Sequence, residues 1–241
     1  MKIAIGFDFD HTLAIDNKLE RTALLELAKE LGVVIGATDM ARLAQIDTLL
    51  QEMRMDKLTL EQMIARFVHS IKKDHKSHGL LHRFKEICYA LLPHHVVAVA
   101  GANQMLSELD RRGIPHAILT NGWSPLQEKK AAAIHYDGKI LVSGKMGVAK
   151  PSLEAYAKLK DVFPSDACIW YVGDNPSTDV RGALDAGYEA IWYHEHAGLP
   201  YPSHLPPPSA IIDGLPDLIP LVDNAHADGK PGRAEAMPNP V

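Results

Sequence analysis

The chain has little cysteine, no long apolar run and no excess of basic charge, and each shortage removes a class of protein. Only Cys88 and Cys168 occur in 241 residues, without metal-type spacing, so a disulfide framework is not expected. Both read as small buried side chains. No stretch approaches the ~18 apolar residues of a membrane helix. Met1 to Phe7 is apolar but stops at Asp8, too short for the core of a secretory signal. The expected location is therefore the reducing cytoplasm, with no membrane partner. Lys and Arg number 25 against 30 Asp and Glu, a net charge of −5, and no long basic run appears. That excludes a broadly basic binder of nucleic-acid polymers. What is present is ordinary globular composition, 46% hydrophobic and 23% charged, which excludes overall disorder. The length corresponds to ~1.6 domains of ordinary size, so one domain with a large insertion, or two small ones, both fit.

Lys2 to Phe7 reads as a short, fully buried strand ending on a polar cluster. From Asn17 to about Leu92 the periods are helical. Leu24, Leu25, Leu27, Ala28 and Leu31 follow the spacing of one helix face, and Gly32 is a stop. Thr38-Asp39 caps a second helix running through Met55, and Thr59 with Gln62 forms a capping box for a third. A fourth runs from about Gly79 to Leu91 and is ended by Pro93. After Pro93 strands and helices alternate. Strands are expected at 114–119, 140–143, 167–172, 189–193 and 210–212, with helices at 102–112, 125–134, 152–162, 179–186 and 215–222. Alternation with short links is the signature of a parallel sheet covered on both faces. The fold class is therefore α/β, a doubly wound parallel sheet interrupted by an all-helical insertion. Ten of the 16 prolines lie in residues 200–241. Tyr201 to Ser209 reads as an irregular loop, and 223–241 as a disordered tail.

Four segments carry the chemistry. Asp8-Phe9-Asp10-His11-Thr12 follows the first strand, and Thr120-Asn121-Gly122 follows the second of the main series. Lys150-Pro151 starts a helix, and Gly173-Asp174-Asn175-Pro176-Ser177-Thr178-Asp179 follows the strand at 167–172. In open α/β sheets ligands bind at the carboxyl ends of strands, so the fold gathers these segments at one edge. Asp8, Asp10, Asp174 and Asp179 would repel each other there unless a cation intervenes. Hard oxygen ligands favour Mg²⁺. Lys150 as a point charge, with Thr120 and Asn121 as donors, suits a phosphate. A carboxylate free to act on phosphorus is a covalent nucleophile. Without those four acids the remaining charge nearly balances.

These motifs resemble the haloacid dehalogenase-like superfamily, specifically its magnesium-dependent phosphatases. Asp8-x-Asp10-x-Thr12, Leu119-Thr120-Asn121-Gly122, Ala149-Lys150-Pro151 and Gly173-Asp174-(x)4-Asp179 match the four family motifs in order. The resemblance implies a Rossmann-like core over 1–14 and 97–222 and a helical cap over 15–96. It implies that Asp8 attacks phosphorus and forms an aspartyl-phosphate, while Asp10 serves as acid and then base. It implies Mg²⁺ on the Asp8 carboxylate, the Asp10 backbone carbonyl and Asp174, with Asp179 binding the metal or its waters. Thr120 and the backbone near Asn121 would hold phosphate oxygens, and Lys150 would offset charge on the nucleophile and the phosphoryl group.

The implied activity is hydrolysis of small soluble phosphate monoesters. The wording around Thr120 and Lys150 is similar to phosphatases of nucleoside monophosphates and flavin mononucleotide. A phosphomutase shares the motifs. A haloacid dehalogenase lacks the second aspartate, here Asp10. A phospho-accepting or ligand-binding regulatory module is the non-enzymatic alternative, and the order of motifs fits it poorly. His94-His95 and His194-Glu195-His196 read as solvated surface histidines, and the first pair as opposite-facing strand residues. His11 receives no role. Trp123 either lines the substrate entrance or packs on a helix, and Asn17 and Lys18, where the chain leaves the core, read as a solvated loop or as substrate contacts. Asp179 reads equally as a helix N-cap.

Overall fold

The structure, a computed structural model, describes residues 2–73, 79–194 and 200–228. The chain opens with β1 (Ile3–Phe7) and β2 (Ala14–Ile15), then four consecutive helices: α1 (Leu19–Glu30), α2 (Met40–Arg54), α3 (Leu60–Ile71) and α4 (Leu80–His95). It continues through β3 (Val97–Ala98), α5 (Ala102–Arg111), β4 (His116–Thr120), α6 (Leu126–Ala133), β5 (Lys139–Val142), a one-turn α7 (Ser143–Met146) and α8 (Leu153–Lys160). β6 (Cys168–Gly173), a π-helical turn (Pro176–Val180), α9 (Arg181–Asp185), β7 (Glu189–Tyr193), β8 (Ala210–Ile212), a 3₁₀ turn (Leu215–Asp217) and α10 (Leu218–Asp228) complete it.

Six strands form one parallel sheet in the order β5-β4-β1-β6-β7-β8. Alternate residues of each strand enter two different cores, as a strand's period of two requires. Ile3, Ile5 and Phe7 of β1 face the layer holding Met105, Leu109 and Leu218 of α5 and α10. Ala4 faces the opposite layer, with Tyr156, Leu159 and Ala183 of α8 and α9. Both faces being covered explains why these strands read as continuous apolar runs. The strand order reverses at β1: β4 and β5 lie on one side, β6 to β8 on the other. The carboxyl end of β1 is thus the switch point where such sheets bind ligands.

The four-helix insertion is a cap on this sheet, entered and left side by side. β2 and β3 pair antiparallel through Ala14 with Ala98 and Ile15 with Val97. Asp39 caps α2 by accepting from the Arg42 N–H, and Thr59 and Gln62 form the expected capping box on α3. The apolar stripe of α3 (Met63, Ile64, Phe67, Val68) and that of α4 (Phe84, Ile87, Cys88) join the same core layer as β1. Among the described residues no helix is long and apolar enough to cross a membrane.

Several expectations need correction. Pro93 lies inside α4 rather than ending it, and the helix continues to His95. The buried face through Leu92, and the Val96 N–H to Leu92 carbonyl bond at 3.0 Å, hold the last turn despite the missing proline donor. His94 and His95 therefore sit on a helix end, with His95 Nδ1 3.0 Å from the Leu91 carbonyl. The helix expected over 179–186 is split into the π-helical turn and α9, and Ser143 begins α7 rather than closing a strand. The C-terminal helix does not stop at 222. Leu218, Val222 and Ala225 make one apolar stripe packed on the core, which carries α10 to Asp228. The rest of the expected tail, 229–241, and Glu195 and His196 lie outside the described residues.

Candidate active site

The carboxyl ends of β1, β4 and β6 converge on a cleft of about 660 Å³ roofed by the C-terminal part of α2 and the turn after it. Asp8, one residue past β1, is buried, and its N–H is fixed by the Val172 carbonyl of β6 at 2.9 Å. Asp174 follows β6 directly, and its backbone carbonyl accepts from Trp192 Nε1 at 2.8 Å. Asp179 lies six residues past β6, in the π-helical turn, but folds back: its Oδ2 accepts the Asn175 N–H at 3.0 Å. Gly173 makes that return possible, because a Cβ there would lie 2.5 Å from Asp179 Cβ, Cγ and Oδ2. Asn175, not Asp179, is the N-cap, accepting the Ser177 and Thr178 N–H groups.

Lys150 joins these segments. Its Nζ, 3% exposed, donates to Asp8 Oδ1 at 2.6 Å, Asp179 Oδ1 at 2.7 Å and the Tyr171 hydroxyl at 2.9 Å. Tyr171 in turn donates to the Leu119 carbonyl at 2.8 Å. Asp8, Asp174 and Asp179 each offer an oxygen within 4.8 Å of the others. One ammonium bonds two of these three carboxylates, Asp8 and Asp179, and the electrostatics follow. Burial, with Asp179 nearby, pushes Asp8 up to about 7 despite Lys150. Burial and the neighbouring Asp179 and Asp8 push Asp174 up to about 8. Burial disfavours the Lys150 charge, but Asp179 and Asp8 outweigh it and the ammonium is held.

Asp10 stands apart from that cluster. Its Oδ1 accepts from Lys130 Nζ and its Oδ2 from Gln127 Nε2, both at 2.8 Å. Burial alone would raise Asp10, but Lys130 and Arg54 outweigh it and hold the carboxyl below its usual value. Lys130, 1% exposed, also donates to Asp16 Oδ2 at 2.7 Å, so one buried ammonium ties Asp10 to the crossing into the cap. The Asp10 carboxylate is thus engaged by these two donors, which leaves its backbone carbonyl as the metal-facing group expected of it.

Thr120 Oγ1 is buried in the cleft and accepts Gln127 Nε2 at 3.0 Å. The Asn121 side chain is engaged with Lys150. It clamps the Lys150 backbone, Nδ2 to the carbonyl at 3.0 Å and Oδ1 from the N–H at 2.9 Å. It positions Lys150, which leaves backbone groups of this turn for an anion. Trp123 packs rather than gates: it is 6% exposed, against Phe84 and Tyr89 of the cap, with Nε1 on Glu20 at 2.8 Å. Asn17 and Lys18 do not line the cleft. Both adopt left-handed backbone at the start of α1, where Asn17 Nδ2 holds the His95 carbonyl at 2.8 Å. His11 lines the cleft edge.

Gln127, Lys130, Tyr171 and Arg54 were not singled out in the sequence. The available signal was slight: Gln127 and Lys130 are three apart on one face of α6, just after the Thr120 turn.

The family model of haloacid dehalogenase-like hydrolases matches residues 4–187. A phosphoserine phosphatase of Thermus thermophilus is 40% identical over 97 residues, 38% of this chain and 38% of that one. That stretch spans well under half of the relative's length. A pyrimidine 5'-nucleotidase of Streptococcus pneumoniae is 24% identical over 200 residues, 79% of this chain and 83% of that one. In fold, the chain is similar to the HAD-hydrolase YfnB of Bacillus subtilis bound to magnesium. The TM-score is 0.71 at 20% identity, over 92% of this chain and 99% of that one.

Proposed function

The chain belongs to the haloacid dehalogenase-like hydrolases, and from that premise we propose a phosphatase that hydrolyses small soluble phosphate monoesters through an aspartyl-phosphate on Asp8. The enzyme class, phosphoric monoester hydrolase, agrees with the relatives, which are named as phosphatases and nucleotidases. The observation that carries the reading is the convergence of Asp8, Asp174 and Asp179 to within 4.8 Å around Lys150 at the sheet's switch point.

The residues fit a divalent cation. Three carboxylates against one ammonium leave two uncompensated negative charges, and all the donors are hard oxygens, the preference of Mg²⁺. Asp8, Asp174 and the Asp10 backbone carbonyl would hold it, with Asp179 beside them. When bound, Mg²⁺ supplies charge neutralisation between the nucleophile and the phosphate dianion.

The protein's own groups divide the rest. Asp8 Oδ attacks phosphorus, with its second oxygen fixed by Lys150, so that one geometry is presented. Lys150 and backbone donors at the Thr120-Asn121 turn stabilise charge on the transferring phosphoryl group. Asp10, two residues on, protonates the leaving alkoxide. It then takes a proton from the water that attacks the acyl-phosphate, which frees Asp8 and phosphate. In the arrangement seen, Asp10 is the carboxylate. An anionic substrate beside it raises its pKa and favours the proton uptake that the first step needs.

The test is hydrolysis of a phosphate-ester panel with Mg²⁺ and with chelator. Pyrimidine nucleoside monophosphates, flavin mononucleotide and phosphoserine belong in the panel, given the motif wording and the named relatives. Turnover should need Mg²⁺, and Asp8→Asn should abolish both turnover and a hydroxylamine-labile phosphoprotein. Turnover that survives either change overturns the mechanism.

A further inference from the structure

The roof of the cleft carries a charge pattern that the hydrolytic chemistry does not use. Its cap residues are Thr48, Gln51, Glu52, Arg54, Met55 and Lys57. Glu52 is compensated from α3, where Arg66 Nη1 lies 3.4 Å from its carboxylate. Arg54 is anchored at one end. Its Nη2 donates to Oε2 of buried Glu20 at 2.7 Å, while Oε1 of Glu20 is held by Trp123 at 2.8 Å. The Nε and Nη1 donors of Arg54 take no partner among the described residues, and its side chain is 38% exposed toward the cleft. Lys57, exposed on the turn after α2, has no ion-pair partner among the described residues.

A guanidinium held through Nη2 keeps its Nε–H and Nη1–H, which leave from opposite edges of the fork, and either can donate to an oxyanion in the cleft. Lys57 adds a flexible point charge beside it. Taken together, Lys130, Arg54 and Lys57 balance Asp10, Asp16 and Glu20, so floor and roof carry no net charge against an anion at this place. A nucleobase has less to bind. Among the described residues no Phe, Tyr or Trp lines the cleft and His11 at its edge is the only ring there, so a base has little to stack on.

We infer that the leaving group carries a carboxylate, gripped by Arg54 and Lys57, so that the substrate is a small phosphorylated hydroxy acid rather than a nucleotide. This rests on the phosphatase reading above. Arg54 and Lys57 set specificity, and the bond broken is still the phosphorus–oxygen bond to the hydroxyl of the acid.

The experiment compares esters matched in size: phosphoserine with phosphoethanolamine, and 3-phosphoglycerate with glycerol 3-phosphate, beside uridine monophosphate and p-nitrophenyl phosphate. The acids should exceed their carboxylate-free partners more than tenfold in kcat/KM, mainly through KM. That ratio, taken within each variant, should fall toward one in Arg54→Lys, which keeps a cation for Glu20, and in Lys57→Met. Glycerate, unlike glycerol, should raise the melting temperature of the native protein and do so less in the variants. A nucleotide or neutral ester used as well as the acids overturns the inference. So does a ratio unchanged in both variants. Turnover of p-nitrophenyl phosphate without acid preference overturns this inference while the phosphatase reading stands. Turnover of no ester at all overturns that reading, and this one with it.

Discussion

Replacing Lys130 with Met probes the buried charge network behind Asp10. The ammonium is 1% exposed and donates at 2.8 Å to Asp10 and at 2.7 Å to Asp16. Met retains most of the stem's volume, so charge rather than packing is what changes. Removing one partner of a buried pair costs about 3–5 kcal/mol, because the remaining ion stays buried. Here two carboxylates are stranded, each with one residual donor: Gln127 for Asp10 at 2.8 Å, and the Lys18 N–H for Asp16 at 3.0 Å. The cost should therefore stay inside that range rather than double. At roughly 2–4 °C per kcal/mol for a chain of this size, the melting temperature should drop by about 6–20 °C near pH 8. The drop should depend on pH. In the native protein Lys130 is the chief group that holds Asp10 below its usual value against burial. Without it burial dominates, and the folded pKa rises above the unfolded value. A carboxyl raised on folding costs stability that grows as pH climbs past the unfolded value, so the variant should be nearest to native around pH 4.5 and furthest at pH 8. Thermal unfolding followed by circular dichroism at both pH values reads this out, with Lys130→Arg as the charge-keeping comparison. A Lys130→Met deficit under about 2 °C at pH 8, or an equal deficit at both pH values, refutes the reasoning.

Three further outcomes are expected. Asp8 and Asp174 are pushed up to about 7 and about 8 without a cation, so their ionisation costs the metal-free fold stability as pH rises from about 4 toward 8. Mg²⁺ should accordingly raise the melting temperature more at pH 8 than at pH 5.5, and an equal shift at both would count against the cluster as the binding site. Gly173→Ala forces a methyl to within 2.5 Å of Asp179. It should cost about 1–3 kcal/mol in a urea titration and reduce Mg²⁺-dependent turnover more than tenfold, whereas native-like turnover would show Asp179 to be dispensable. Trp123→Phe removes the 2.8 Å bond to Glu20 and leaves a buried carboxylate oxygen without its donor. A loss of about 1–3 kcal/mol is expected from chemical denaturation.

Much of the site was legible because its residues are local signals. Asp8, Thr120 and Asp174 each stand at the end of an apolar run, and a parallel sheet brings such ends to one edge whatever else the chain does. The Thr59–Gln62 box and the Asp39 cap are legible for the same reason, since both partners lie within one turn. The Pro93 stop and the tail boundary failed where packing outweighs a local preference: a buried helix face carried α4 through the proline and α10 through 223–228.

The sequence by itself determined the fold class, the family and the carboxylates at the strand ends, because short-range periodicity and motif spacing encode them. Only the tertiary structure decided what those carboxylates touch. The Lys150–Asp8 bond spans 142 residues and the Lys130–Asp10 bond 120, and no local pattern distinguishes a buried lysine on α6 from a solvated one. The same holds for Asn121, whose amide serves the Lys150 backbone, and for Arg54, an ordinary helix residue until Glu20 anchors it above the cleft. Charge pairing across such separations depends on where burial removes water, and burial is a property of the assembled layers.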